Sequence, residues 1–97
     1  MKNGAGLQSR PRKAQDIMFQ SMPPDTILLN LNNGYYYSTN PVGAAVWERC
    51  DGTRSVGEIA DALSALFDAP KEDIERDVLQ FVRDMSEEKL LVIDGDA

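Results

Sequence analysis

Few side chains of this sequence could carry out catalytic chemistry. The chain has one cysteine and no histidine, so the commonest general base and metal ligand is missing. Cys50 could serve as a nucleophilic or redox thiol, but it follows Val42 and Val46 at a helical spacing of four, which favours a small buried hydrophobic group. The sequence contains no carboxylate pair beside a base, no metal-ligand spacing and no glycine-rich phosphate loop. It therefore predicts a protein that is not an enzyme and holds no metal or cofactor.

A tyrosine-rich strand offers a different chemistry, main-chain hydrogen bonding at a sheet edge. Natural edge strands are usually protected by lysine, proline or charge, and residues 34–39 contain none of these. Such an edge can capture an extended peptide as an additional strand. The alternative is that Tyr35, Tyr36 and Tyr37 fill a small core or pair with a last strand at residues 90–93. The residue types leave both possibilities open.

The tyrosine strand belongs to a predicted β-hairpin. Ile27, Leu29 and Leu31 alternate as the inward-facing residues of a half-buried strand, and Asn-Asn-Gly at residues 32–34 supplies the turn. An earlier strand is predicted within residues 16–22, before two consecutive prolines. The three strands should form an antiparallel sheet with the first and third strands at its edges.

Two turn geometries fit the hairpin. A two-residue turn pairs Leu31 with Tyr36 and points Tyr35 and Tyr37 outward. A three-residue turn with Gly34 in the left-handed conformation pairs Leu31 with Tyr35 and points Tyr35 and Tyr37 inward. The second geometry is favoured because it exposes one large aromatic side chain instead of two, but the sequence does not decide between them.

Three helices are predicted after the hairpin. The first covers residues 41–50, with Asn40 as its N-cap and a proline at the first helical position. The second begins at a capping box formed by Ser55 and Glu58. The third covers residues 71–88, and three acidic residues in its first turns complement the helix dipole. A short break at residues 67–70 separates the second helix from the third.

The third helix has an apolar stripe and a mixed flank. At about 100° per residue, the stripe comprises Ile74, Val78, Phe81, Val82 and Met85. Leu79 lies about 100° to one side of this stripe, next to Arg83. The two side chains would offer an apolar anchor and a positive charge beside the tyrosine strand. The alternative is that Leu79 packs on the second helix and Arg83 is solvated.

The order of elements predicts an α+β fold, a small winged-helix-like domain. A three-stranded antiparallel sheet is followed by three helices and a possible short C-terminal strand. The predicted domain covers residues 16–93, between a disordered basic tail at residues 1–15 and an acidic tail at residues 94–97. No apolar run has the length of a signal peptide or a membrane span, which predicts a cytoplasmic protein without membrane contact.

Charge is distributed unevenly along the chain. Four of the ten basic residues and none of the sixteen acidic residues lie in residues 1–15. Residues 16–97 therefore carry six basic and sixteen acidic side chains, a balance of −10. A folded domain with this excess of negative charge repels the phosphate backbone of nucleic acids. The charge balance therefore argues against a winged-helix nucleic-acid-binding protein. A homodimer that pairs the open strand edges is a further alternative.

Several segments of the sequence resemble the PqqD family. This family comprises the pyrroloquinoline quinone biosynthesis protein D and the related precursor-recognition domains of ribosomally made, post-translationally modified peptides. The resemblance runs from about residue 16 to residue 92, and its specificity comes from the ordered combination of short segments. These segments are residues 28–37, Asn40-Pro41-Val42-Gly43, Val46-Trp47, Cys50-Asp51-Gly52, Val56-Gly57-Glu58-Ile59, Asp77-Val78 and Phe81-Val82.

The resemblance implies a winged-helix-like chaperone without catalysis. Such proteins bind the leader segment of a precursor peptide as an added strand against their third strand, beside their third helix. They present it to a modifying enzyme, often a radical S-adenosylmethionine enzyme. By position, the resemblance assigns peptide binding to Tyr35, Tyr36, Tyr37, Ser38, Val78, Leu79, Val82 and Arg83.

The resemblance does not select one biosynthetic pathway. Residues 40–43 together with Trp47 are similar to the recognition proteins of lasso-peptide systems. Cys50-Asp51-Gly52 is similar to the branch that serves the quinone cofactor. Thr39 stands where related proteins often carry leucine, and neither branch accounts for the basic N-terminal segment. The identity of the precursor peptide therefore stays open at this point.

Overall fold

Eight secondary-structure elements are present in the computed structural model, which describes residues 6–22 and 25–94. In chain order they are β1 (Arg10–Lys13), β2 (Ile17–Met22), β3 (Asp25–Asn30), β4 (Tyr36–Thr39), α1 (Pro41–Glu48), α2 (Val56–Phe67), α3 (Lys71–Glu87) and β5 (Leu91–Asp94). Strands β2, β3 and β4 form an antiparallel sheet in that order, while β1 pairs with β5. The predicted α+β fold, with three strands, three helices and a C-terminal strand, is confirmed.

The helix starts follow the predicted local signals. Asn40 accepts a hydrogen bond from the backbone N–H of Gly43 at 2.9 Å, which caps α1. Both hydrogen bonds of the capping box between Ser55 and Glu58 are formed, at 3.2 and 2.8 Å. Because these signals act within one helical turn, they require no tertiary partner.

One hydrophobic core joins the helices to the inner face of the sheet. It includes side chains from β3, from all three helices and from the start of β5. Its fully buried apolar members are Leu28, Val46, Cys50, Val56, Ile59, Ala60, Leu63, Val78, Val82 and Leu90. Removal of this apolar surface from water is the main favourable contribution to folding.

Buried and less buried residues alternate along β3, but the buried positions are the ones that the sequence pattern predicted to face outward. The buried residues are Thr26, Leu28 and Asn30, whereas Ile27 and Leu29 are half-buried and Leu31 is exposed. Asn30 tolerates burial because its side-chain oxygen accepts the backbone N–H of residue 32 at 2.8 Å. Leu28 therefore takes the core position that the sequence pattern assigned to its neighbours.

Four residues, 31–34, lie between the hydrogen-bonded residues Asn30 and Tyr35, so neither predicted turn forms. Asn30 N–H donates to the carbonyl of Tyr35 at 2.9 Å, and Gly34 N–H donates to the carbonyl of Asn30 at 2.8 Å. The side chain of Asn33 accepts the N–H of Tyr35 at 2.9 Å. Gly34 has φ of +78°, in the left-handed region. Because asparagine side chains satisfy loop N–H groups, the longer turn is stabilised.

The prediction of a disordered tail at residues 1–15 is wrong where the structure describes this segment. Pro11 in β1 is buried opposite Ile93 of β5. The carbonyls of Leu7 and Ser9 accept hydrogen bonds from the first turn of α2, each at 2.9 Å, where helical N–H groups lack intrahelical acceptors. The folded unit therefore begins before residue 16. The parts of the two predicted tails at residues 1–5 and 95–97 lie outside the described residues.

Candidate peptide-binding groove

Strand β4 is an edge of the three-stranded sheet formed by the described residues. Asn30 N–H donates to the Tyr35 carbonyl, and hydrogen-bonded pairs recur at every second residue of an antiparallel ladder. Tyr37 therefore directs its main-chain groups toward β3. Tyr36 and Ser38 direct their N–H and C=O groups away from it, toward the open edge. The tyrosines do not pair with the C-terminal strand, because β5 forms a separate two-stranded sheet with β1.

The three tyrosines have different environments. Tyr35 and Tyr36 are 65% and 69% exposed. Tyr37 lies opposite Leu28 on the inner face and is half-buried. Its hydroxyl donates to the carboxylate of Glu88, and this hydrogen bond raises the pKa of Tyr37. Tyr37 is therefore the tyrosine that is partly buried against the inner face, whereas Tyr35, which the favoured turn prediction also turned inward, is largely exposed.

A groove of about 310 Å³ lies beside β4, between the start of α1 and α3. Its lining residues are Thr39, Asn40, Val42, Gly43, Val46, Asp77, Gln80, Phe81 and Asp84. The close approach of α1 to β4 depends on Gly43, since a Cβ atom there would lie 1.8 Å from Thr39 Oγ1 and 3.0 Å from Phe81 Cε1. Thr39, the last residue of β4, lines the groove, so the groove adjoins this end of the strand.

Helix α3 turns a different flank toward this groove than predicted. Phe81 and Asp84 line the groove, whereas Leu79 and Arg83 do not. At about 100° per residue, Phe81 and Asp84 lie about 60° and 120° to one side of Val78, and Leu79 and Arg83 lie about 100° and 140° to the other side. The predicted apolar anchor and positive charge are therefore absent from the described wall of the groove.

The flank that carries Leu79 faces α2. Lys71 and Glu75 share that flank, and the Nζ atom of Lys71 lies 2.6 Å from Asp61 Oδ1 on α2. Leu79 is half-buried and packs against the hydrophobic core, whereas Arg83 is exposed. In this arrangement Leu79 packs against the core and does not line the groove.

Two other residues assigned by the resemblance lie beneath the surface. Val78 and Val82 have no exposed surface, so they support α3 from inside the core. Phe81, which the pattern placed in the apolar stripe, is only partly buried and lines the groove. Its position about 60° from Val78 puts it at the margin of the stripe. A helical-wheel projection of the sequence places Phe81 at the margin of the stripe. It cannot show which margin of α3 packs beside the sheet.

The groove wall formed by α3 is acidic. Asp77 and Asp84 line it, and Glu88 follows one turn after Asp84 and contacts Tyr37. The amide of Gln80 donates to the Asp84 carboxylate at 2.9 Å. None of the described residues that line the groove is basic. The spacing of these acids was visible in the sequence, but their position beside β4 was not.

A second cavity, of about 350 Å³, lies at the other edge of the sheet, between β2 and α1. Phe19 and Trp47 line it, and the Nζ atom of Lys13 lies 5.6 Å from the centroid of the Trp47 ring. Part of its aromatic wall is therefore engaged in a cation–π contact within the chain. The groove at β4 differs because it runs beside α3, the longest of the described helices.

The structure gives Cys50 the environment of a core residue. Its thiol is fully buried and donates to the carbonyl of Val46 at 3.1 Å. Burial raises the pKa of Cys50 to about 12. Within residues 6–22 and 25–94, no cluster of side chains could hold a metal ion. No helix in that part of the chain combines the length and apolar character needed to cross a membrane.

Solved structures show the same fold. The PqqD truncation of Methylobacterium extorquens PqqCD, described as a functional and stand-alone recognition element, superimposes with a TM-score of 0.79 at 21% identity. It covers 93% of this chain and 96% of that one. A lasso peptide synthetase B1 complexed with the leader peptide gives a TM-score of 0.74 at 22% identity, over 86% of this chain and 98% of that one. At these identities the two likenesses establish the fold.

Sequence comparison identifies the family. A PqqA binding protein of Xanthomonas oryzae pv. oryzae is 42% identical over 50 residues, which are 52% of this chain and 54% of that protein. The chain thus spans about half the length of the curated relatives it matches. Residues 25–91 match the family described as coenzyme PQQ synthesis protein D. Because this match covers well over half of its residues, the chain belongs to the PqqD family.

Proposed function

We propose that this chain binds the leader segment of a ribosomally made precursor peptide as an added strand on β4. The observation that carries the proposal is the outward direction of the main-chain groups of Tyr36 and Ser38, next to a groove whose far wall is α3. An extended peptide beside β4 would bond to these groups and direct alternate side chains into the groove. A relative named PqqA binding protein and a similar fold solved with a leader peptide support this proposal.

The proposed site keeps the strand residues assigned by the resemblance and changes the helical ones. Tyr36 and Ser38 supply main-chain hydrogen bonds, and the exposed ring of Tyr36 supplies apolar surface on the outer face. Phe81 replaces Leu79 as the apolar contact on α3, since Phe81 is the one that lines the groove. Val78 and Val82 hold this wall in place from the core.

We further propose that the chain acts without catalysis of its own and delivers the bound peptide to a modifying enzyme. The buried, protonated thiol of Cys50 supports this, since only an accessible thiolate is an effective nucleophile. The family resemblance implies a radical S-adenosylmethionine enzyme as the partner, in the cytoplasm where the precursor is made. The acidic wall of α3 disfavours the alternative of nucleic-acid binding.

Two proline substitutions at opposite sheet edges test the strand-addition proposal. Ser38→Pro removes an outward N–H from β4 without breaking a β3–β4 hydrogen bond, because the ladder places that group at the open edge. Ser21→Pro is the matched control, since the same alternation directs the N–H of Ser21 outward from β2. Fluorescence anisotropy would measure binding of labelled Xanthomonas PqqA and of a labelled lasso leader peptide, and circular dichroism would confirm folding.

We expect at least one of the two peptides to bind the unaltered chain. Ser38→Pro should weaken this binding tenfold or more, whereas Ser21→Pro should leave it within about twofold. Failure of both peptides to bind would refute the proposal. Equal affinity for the unaltered chain and for folded Ser38→Pro would refute strand addition at β4, and a loss confined to Ser21→Pro would move the site to the β2 edge.

A further inference from the structure

The charge of the groove restricts which peptide can occupy it. The side chains that line the groove from α3 are two aspartates, a glutamine and a phenylalanine, and the carboxylate of Glu88, one turn beyond Asp84, accepts the hydroxyl of Tyr37. We propose that the leader recognised by this chain carries two basic side chains, at positions i and i+2, that face α3. This inference rests on the proposed function and adds the chemical class of its peptide.

The relative direction of β4 and α3 determines where these side chains would lie. Tyr37 contacts Glu88 near the C-terminal end of α3, while Thr39 and Phe81 approach the same point of α1 at Gly43. Moving from Tyr37 to Thr39 along β4 therefore corresponds to moving from Glu88 back to Phe81 along α3, so the two elements run antiparallel. A strand added to β4 would pass Glu88 and Asp84 at one end of the groove and Asp77 at the other.

The spacing of the acids matches the spacing of strand side chains. Inward-facing residues of a strand are two positions apart, which is about 6.6 to 6.8 Å. Asp84 and Glu88 are one helical turn apart, about 6 Å along the axis, and Asp77 and Asp84 are about 10.5 Å apart. Since lysine and arginine side chains are long and flexible, two consecutive inward positions can each reach a different carboxylate.

The groove also suits the apolar part of a basic side chain. Phe81 presents an aromatic ring between the levels of Asp77 and Asp84, and Val42 lies across from it in the lining. The alkyl stem of lysine or arginine would pack on these apolar surfaces while its charged head reaches a carboxylate. The Phe81 ring adds a favourable cation–π term. A leader with acidic residues at the same positions would instead face like charges.

Selection from a displayed library of random peptides tests the inference without knowledge of the natural precursor. The library is panned against the unaltered chain and against the charge-reversed variant Asp77→Lys/Asp84→Lys. Glu72→Lys/Glu87→Lys is the matched control, because it changes the net charge of α3 equally with exposed residues outside the groove lining. Selected peptides are then resynthesised, and their affinities are measured at low and high salt.

We expect the unaltered chain and the control to select peptides with lysine or arginine two positions apart. Charge reversal in the groove should weaken these peptides tenfold or more and select acidic residues at the same spacing. The inference is overturned if the selected peptides lose affinity for the Ser38→Pro variant, and so bind at β4, but show no preference for basic residues. If every selected peptide binds the Ser38→Pro variant as tightly as the unaltered chain, the proposed function is refuted, and the inference that rests on it is refuted as well.

Discussion

Gly43 is the residue whose substitution tests the packing behind the groove most directly. A Cβ atom at this position would lie 1.8 Å from Thr39 Oγ1 and 3.0 Å from both Thr39 Cβ and Phe81 Cε1. Ordinary contacts are 3.4 Å or longer, so Gly43→Ala requires a movement of about 1.6 Å at the hydroxyl. Rotation of the Thr39 side chain would move Oγ1 but would leave the Cβ contact in place.

The magnitude follows from two opposing effects. Overpacking of a close contact costs about 1 to 3 kcal/mol, whereas replacing glycine by alanine in a helix gains at most about 1 kcal/mol. We therefore expect Gly43→Ala to lower the free energy of unfolding by about 1 to 2 kcal/mol. The matched control is Gly57→Ala in the first turn of α2, where the added Cβ would meet its nearest neighbour at 3.4 Å. That control should be neutral or stabilising.

Urea denaturation of a double-mutant cycle with Thr39→Ala measures the contact itself. In the Thr39→Ala background the worst overlap is gone, so Gly43→Ala should cost about 1 kcal/mol less than in the unaltered chain. An equal cost in both backgrounds would show that Thr39 is not the obstacle. A stabilising effect of Gly43→Ala in the unaltered chain would refute the close approach of α1 to β4.

The remaining predictions concern Cys50 and Leu79. The pKa of Cys50 is raised from 9.0 to about 12 by burial, so the folded state holds this proton more tightly than the unfolded state and stability should fall as pH rises from about 9 toward 12. Denaturation midpoints across this range, compared with those of Cys50→Ala, isolate the effect from lysine and tyrosine titration; identical pH dependence in both proteins would contradict it. Leu79→Ala should lower the free energy of unfolding by about 1 to 2 kcal/mol, because the side chain is half-buried against the core. Peptide affinity of the folded variant should be unchanged, and a selective loss of affinity would return Leu79 to the site.

The groove depends on features of the fold that are far apart in sequence. Helix α3 closes one side of it, and α1 approaches β4 closely enough to close another because residue 43 has no side chain. The hydrogen bond from Tyr37 to Glu88 joins β4 to the C-terminal end of α3. A change that loosens α3 from the sheet should therefore alter peptide binding even when it leaves the open edge of β4 intact.

Local signals in the sequence determined much of the fold. The cap at Asn40 and the capping box of Ser55 and Glu58 act within one helical turn and form as predicted. Of the predicted apolar stripe of α3, Ile74, Val78 and Val82 are buried. The absence of histidine and the position of Cys50 on a helical stripe likewise pointed away from catalysis. Such signals are readable because each is satisfied by residues close together in the chain.

The tertiary structure decided the orientation of the site. Ile27, Leu28 and Leu29 are all apolar, so alternation alone could not show that Leu28 faces the core. Both flanks of α3 combine charge with one large apolar residue, and only the packing of α3 on α2 places Phe81 in the groove and Leu79 outside it. The pairing of β1 with β5 joins segments about eighty residues apart. These choices depend on contacts between distant segments, and no local pattern records which partner each surface will meet.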